Sequence, residues 1–183
     1  MVKGLALTLA LSMGGANAAE TVDLARWAAG LPTHWAVHGV KTEPTYEEAV
    51  DLSRNGDFFA VTGGAPGWAA RSSESVLVSS GGALLRRPCG AAEDCALARP
   101  PSGFLAAAAL ISAQRRGALA GVGIAQPFGA RYVLCIDALM LGFDRPILDP
   151  CFDRWTGAAI AHRHRLNGHF DGPTLEANSL RFE

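Results

Sequence analysis

The sequence is short of nearly everything that would announce an activity. Charged residues make up 18% of its 183 residues, aromatics 8%, and the formal net charge is −1. That balance excludes a protein held to nucleic acid by bulk positive charge, and it excludes a disordered polyanion. There is no G-x-S-x-G, no S-x-x-K and no phosphate-binding G-x-x-x-x-G-K-[ST]. The glycines of Gly117–Gly123 follow a helical segment, so they are no dinucleotide fingerprint. No C-x-x-C occurs, which removes zinc-ribbon and thioredoxin-like redox chemistry at the motif level. No apolar run reaches the roughly 20 residues that cross a bilayer core. Phe104 to Ala113 is apolar but stops at Gln114-Arg115-Arg116.

What is present begins at the N-terminus. Met1-Val2-Lys3 is a short positive segment, Gly4 to Met13 is apolar, Gly14-Gly15 breaks the run, and Ala16-Asn17-Ala18 is an A-x-A cleavage site. This is the order of a secretory signal peptide over residues 1–18. No cysteine follows the apolar segment to take a lipid. The mature chain is expected to start at Ala19, and 183 − 18 leaves 165 residues. That is one domain's worth, and residues 19–183 form a single globular domain able to bury its own core. Loss of Lys3 leaves 15 basic residues against 17 acidic, or −2. Export to the periplasm or outside the cell places the chain where disulfides form.

All four cysteines lie in that mature part. They allow three pairings, and the short local loops favour Cys89–Cys95 and Cys135–Cys151. The second encloses 15 residues, worth about 3 kcal/mol in the chain-entropy account.

Periodicity and turn signals predict the elements. Thr21 caps a short helix with Leu24, Trp27, Ala28 and Leu31 on one stripe and Gly30 at its end. Trp35 to Val40 reads as a strand. Thr45-Tyr46-Glu47-Glu48 reads as a capping box opening a helix to Arg54 that stops at Asn55-Gly56. Asp57 to Thr62 is a buried strand, and Ala65 to Ser75 a loop carrying Trp68. Val76–Ser79 and Ala83–Arg86 form a hairpin around Ser80-Gly81-Gly82. Pro88 to Pro101 is a disulfide-pinned loop. Ser102 caps a helix from Phe104 to Arg116. Gly121 to Ala125 reads as a strand, and Arg131 to Leu141 as a central one with Asp137 inside it. Trp155 to Leu166 and Thr174 to Phe182 are two more strands around the turn Asn167 to Pro173. Strands lie on both sides of the long helix without regular alternation, so the class is α+β: a small antiparallel sheet with two or three helices and two disulfides.

The segment Gly56 with Phe58-Phe59-Ala60-Val61-Thr62-Gly63, then Trp155 to Ala161 and Leu175 to Leu180, resembles the strand-and-turn grammar of small OB-like barrels. The resemblance implies a partly closed antiparallel barrel and carries no function.

Chemistry concentrates near the C-terminus. His162 and His164 share a strand face about 7 Å apart at Cα. With His169, and with Asp171 or Glu176 supplying oxygen, they form a donor set suited to zinc or copper. The competing reading is a polar hairpin whose histidines are exposed or packed beside Ile160 and Leu166. Arg163 and Arg165 alternate with the histidines, and with Arg154 and Trp155 they offer a basic face for a phosphate or carboxylate. Only Trp155 and Phe170 are near enough for base stacking, which argues against single-stranded nucleic acid. Arg86-Arg87 and Arg115-Arg116 read as a strand end and a helix end facing water. His34 and His38, about 13 Å apart on a strand, cannot share an ion. Trp27, Trp35 and Trp68 read as core. Asp137, alone in an apolar run, is a partnered anchor or a general acid/base.

With no catalytic constellation visible, the chain reads as an exported, non-catalytic binding or accessory module without a cofactor, for a protein or a small anionic ligand. The alternative is an extracytoplasmic metal-dependent hydrolase working through His162, His164, His169 and Asp171.

Overall fold

The computed structural model describes residues 20–42, 44–64, 72–90, 94–144 and 146–183. The signal-like segment and Trp68 lie outside these, as does most of the expected 65–75 loop. The described residues form eleven strands and two α-helices in the order β1 (Thr21–Asp23), α1 (Leu24–Ala29), β2 (His34–Thr42), β3 (Glu47–Asn55), β4 (Phe58–Gly64), β5 (Ser72–Val78), β6 (Leu84–Arg87), α2 (Ala106–Arg115), β7 (Val122–Phe128), β8 (Arg131–Cys135), β9 (Leu148–Asp153), β10 (Ala159–His164) and β11 (Arg181–Phe182). A 3-10 turn, Gly103–Leu105, leads into α2.

Two antiparallel sheets result. One has the order β11-β2-β3-β4-β5-β6, the other β1-β7-β8-β9-β10. Both are meanders extended at one edge by a short terminal strand. The α+β reading and both disulfides stand, but the single small sheet partly closed into an OB-like barrel does not. An OB-like barrel curls one sheet onto itself, whereas here each sheet keeps two separate outer strands.

The capping-box helix is also corrected: Glu47–Asn55 is β3. Val50, Leu52 and Arg54 are buried and their neighbours are not, a period of two that only a strand satisfies. Asn55-Gly56, expected to stop a helix, turns the β3–β4 hairpin instead, with Gly56 at φ +62°. Asn55 still pairs with Phe58, so Gly56 and Asp57 are the two loop residues, and glycine suits the positive φ of the first loop position.

Helix α2 was legible, and its environment explains its composition. Ala106 to Ala113 are all buried, so the helix is covered on every side, and small side chains let neighbours approach closely. It packs on β4, β5, β6 and α1. Ser112 Oγ donates to Gly82 O at 2.6 Å. Arg115, expected in water, donates to Val78 O and Ser79 O at 2.9 and 2.7 Å and pairs with Asp57. Ser102 stands at the start of this segment but makes no capping bond. At α1, Asp23 rather than Thr21 caps the helix, accepting from Arg26 N at 2.8 Å. One buried apolar cluster joins both helices and both sheets, including Val37, Phe59, Leu110, Val133, Phe152 and Ile160.

Three expected strands are shorter than their apolar runs. Arg131–Leu141 pairs only as far as Cys135. Trp155–Leu166 is strand only over Ala159–His164. Thr174–Phe182 is strand only at Arg181–Phe182. Strand β9 carries no strand signal in the sequence, because Pro150 and two aspartates disguise it.

Candidate functional site

The disulfide framework sets the frame. Cys135 and Cys151 face each other in register on β8 and β9. Cys89–Cys95 closes the loop that returns beside β6, where Arg86 N donates to Cys95 O and Leu97 N to Leu84 O, both at 2.8 Å.

The β9–β10 hairpin has two chemically distinct faces. In its antiparallel register Leu148 lies opposite His164, Asp149 opposite Arg163, and Pro150 opposite His162. Because faces alternate along a strand, Asp149, Arg163 and Arg165 gather on one side. Arg163 lies 3.8 Å from Asp149, and Arg165 lies 3.7 Å from Asp149 and 3.1 Å from Asp137. Asp149 is buried and also accepts from Ala138 N at 3.0 Å. Leu148, Pro150 and His162 share the other side.

That second side floors a cleft of about 570 Å³. Its walls come from the loop between β8 and β9 (Ala138, Phe143, Asp144, Pro146, Ile147), from Ser102-Gly103, and from Pro173. The lining is largely apolar, and Asp144 stands at the mouth with its side chain 78% exposed, 3.9 Å from Arg99. Leu139, Met140 and Ile147 are exposed large apolar residues in the same loop.

His162 is the buried polar residue of this cleft, 5% exposed. Its Nδ1 bonds Pro173 O at 2.8 Å. A carbonyl only accepts, so Nδ1 carries the hydrogen. Nε2 has no partner among the described residues, on a ring that lines the cleft. Burial pushes the imidazole pKa below its ordinary 6.5, opposed by the Pro173 bond. The ring is therefore neutral at pH 7, with an acceptor lone pair at Nε2.

The metal set is not assembled. His164 Nδ1 accepts from Leu166 N at 3.2 Å, Asp171 Oδ1 accepts from Gly172 N at 2.6 Å, and Glu176 pairs with Thr42. His169 contributes backbone bonds on the turn, its N–H donating to Asn167 Oδ1 and its carbonyl accepting from His164 N. Among the described residues no three His, Cys, Asp or Glu side chains group as ligands for a metal, so zinc or copper finds no built site in this hairpin.

The basic face is split as well. Arg163 and Arg165 sit at one end of the hairpin, bound to acids as above. Arg154 and Trp155 sit beyond the other end of β9, where Arg154 pairs with Glu20. Trp155 stacks under the Arg131 guanidinium at 4.6 Å, with Tyr132 edge-on at 6.2 Å. Arg131 forms a bidentate pair with buried Asp153, both bonds 2.8 Å. The four residues therefore do not converge on one anion.

Asp137 is not a buried carboxylate in a strand. It lies past the end of β8, accepts from Leu139 N at 2.9 Å in an Asx-type turn, and pairs with Arg165. Of the remaining singled-out residues, Trp27 Nε1 donates to Arg154 O at 2.6 Å and Trp35 is buried against Phe59. His34 Nδ1 bonds Thr33 Oγ1 at 2.9 Å. His38 Nδ1 bonds Asp51 at 2.7 Å on the six-stranded sheet, and that bond raises its pKa above 6.5. Arg86 and Arg87 are exposed, as expected of a strand end.

No family model, curated protein or solved structure matches the chain.

Proposed function

We propose that the protein is an exported binding module whose ligand is a small, largely apolar molecule seated over His162. Export rests on the signal-like residues 1–18 and on two disulfides, which persist in oxidising compartments. Among the described residues no helix is long and apolar enough to cross a membrane. The periplasm and the extracellular space both suit this reading, and a mature N-terminus at Ala19 is its test by sequencing.

One observation carries the ligand reading. A cleft of about 570 Å³ lies in the range of small-molecule sites, which are mostly apolar with few placed polar groups. Among the described lining residues the buried one of these is the ring of His162, with Ser102 and Asp144 more exposed. The small-anion reading has weaker support, because Arg154, Arg163 and Arg165 each have a carboxylate partner. The metal-hydrolase alternative lacks its assembled donors.

The test uses N-phenyl-1-naphthylamine, a reporter that brightens in apolar sites. It should bind the full chain. Ile147→Asp, at a position 67% exposed and therefore tolerant, should weaken binding about tenfold by placing a charge at the mouth. Reporter binding unchanged by that substitution would place the ligand elsewhere.

A further inference from the structure

We infer that the ligand of this cleft is an uncharged apolar molecule carrying one hydroxyl, a phenol or an alcohol, whose O–H donates to His162 Nε2. The inference rests on the cleft being the ligand site. The ring is held rather than merely placed. His162 N donates to Thr174 Oγ1 at 3.0 Å, and Thr174 Oγ1 donates to Asp171 O at 3.0 Å. Asp171 N returns a bond to His162 O at 2.9 Å, and Leu175 N donates to Ile160 O at 2.9 Å. Residues 171–175 are thus tied along β10, which fixes the Pro173 carbonyl and with it the Nδ1 tautomer. Nε2 is left as a fixed acceptor on a side chain more than nine-tenths buried.

Each class of occupant meets that acceptor differently. A pure hydrocarbon strips water from Nε2 and returns nothing, and an unmade buried hydrogen bond is costly. A carboxylate brings no donor for Nε2, and Arg163 and Arg165 are held on the opposite face by their own acids. An ammonium donates but loses its hydration among Phe143, Ile147, Leu148 and three prolines, without a buried carboxylate among the described lining residues in return. A hydroxyl donates to Nε2 without bringing a charge. Ser102, on the cleft wall with no capping bond of its own, is a second hydroxyl available to a ligand oxygen.

The experiment compares three probes of one shape by displacement of the reporter from the full chain: 4-butylphenol, its methyl ether 4-butylanisole, and 4-butylbenzoate. The phenol should bind roughly ten- to a hundredfold more tightly than the ether, the worth of one buried hydrogen bond, and the benzoate most weakly. His162→Asn keeps a side-chain donor for Pro173 O but is too short to place its amide oxygen where Nε2 stands, and should erase most of the difference between phenol and ether. In wild-type protein the ¹⁵N resonance of His162 Nε2 should move with the phenol and stay with the ether, a readout that does not depend on the variant folding. Equal affinity for phenol and ether, or tightest binding of benzoate, overturns the hydroxyl inference and leaves the cleft as a site. Failure of the reporter and all three probes to bind overturns the cleft reading itself.

Discussion

The two sheets bury ionisable side chains to different extents. In the six-stranded sheet one charged side chain is buried, Arg54, and it is satisfied by Pro32 O and Gly56 O at 2.8 and 2.9 Å and by stacking over Phe59. Its histidine pair, His38 with Asp51, stays partly in water. The five-stranded sheet buries Asp149, Asp153 and His162. Burying such groups is costly unless they are partnered, and along β9–β10 the partnering declines. Asp153 accepts five hydrogen bonds, two from Arg131, one from Trp155 N and two from Thr156. His162 has its ring bonded at Nδ1 alone. In the six-stranded sheet Trp35 Nε1 is also buried without a partner among the described residues, but it lies in the core, whereas His162 lines a cleft, which is why the functional reading falls on the five-stranded sheet.

Substitutions break that comparison at measurable places. Asp153→Ala should have the largest effect, about 3–5 kcal/mol in denaturant unfolding, because it strands the Arg131 guanidinium and two backbone N–H groups. Asp51→Ala, which removes the exposed partner of His38, should cost less than about 1 kcal/mol. Similar losses for the two would erase the distinction between the sheets.

Gly157 sharpens the point around Asp153. Its φ is +74°, and an added Cβ would lie 2.5 Å from Leu31 Cδ1, so Gly157→Ala should destabilise by more than the roughly 1 kcal/mol of a simple glycine effect.

The disulfides come next. Replacing Cys135 and Cys151 by serine opens a link between residues 16 apart, against 6 for Cys89 and Cys95. The loop-entropy account gives about 3 kcal/mol for the longer and about 2 kcal/mol for the shorter. The reverse order in thermal unfolding would contradict it.

The two histidines give the smallest effects, of opposite sign. Burial lowers the His162 pKa below 6.5. The unfolded chain then binds the proton more readily, so the His162 contribution to stability is complete above pH 6.5 and is lost as pH falls through the folded value. Asp51 raises the His38 pKa, so its contribution is complete below pH 6.5 and is lost as pH rises through that higher value. His162→Asn should flatten the acid side of the stability profile, and His38→Ala should flatten the neutral side.

Much of this was legible in the sequence, where the signal was local. Helix α2, the strands around Trp35 and Phe59, and both disulfides follow from periodicity, turn residues and loop length. The failures share a cause. Thr45–Glu48 matches a capping box residue by residue, but pairing of β3 with β2 and β4 buries Val50 and Leu52, and that pairing is non-local. Strand β9 was invisible because Pro150 lacks an N–H, and proline seldom occupies a central strand. Its carbonyl instead accepts from Ile136 N at 3.0 Å. The spacing of His162 to His164 points to a metal pair, while the bond that the fold gives the His162 ring is to the carbonyl of Pro173, a partner eleven residues away that no spacing reveals. Ion pairing across β9–β10 likewise engaged Arg163 and Arg165, which a single strand cannot reveal. What remained of the expected site was one residue, in a cleft assembled from four separate stretches of chain.

The most direct measurement of the central claim is a methyl NMR titration of the full chain with 4-butylphenol. Val122 and Ile124 on β7 offer a competing exposed apolar patch, 68% and 52% exposed. The cleft reading predicts shifts at the methyls of Ala138, Ile147 and Leu148, with those of Val122 and Ile124 unmoved; shifts confined to Val122 and Ile124 would contradict it.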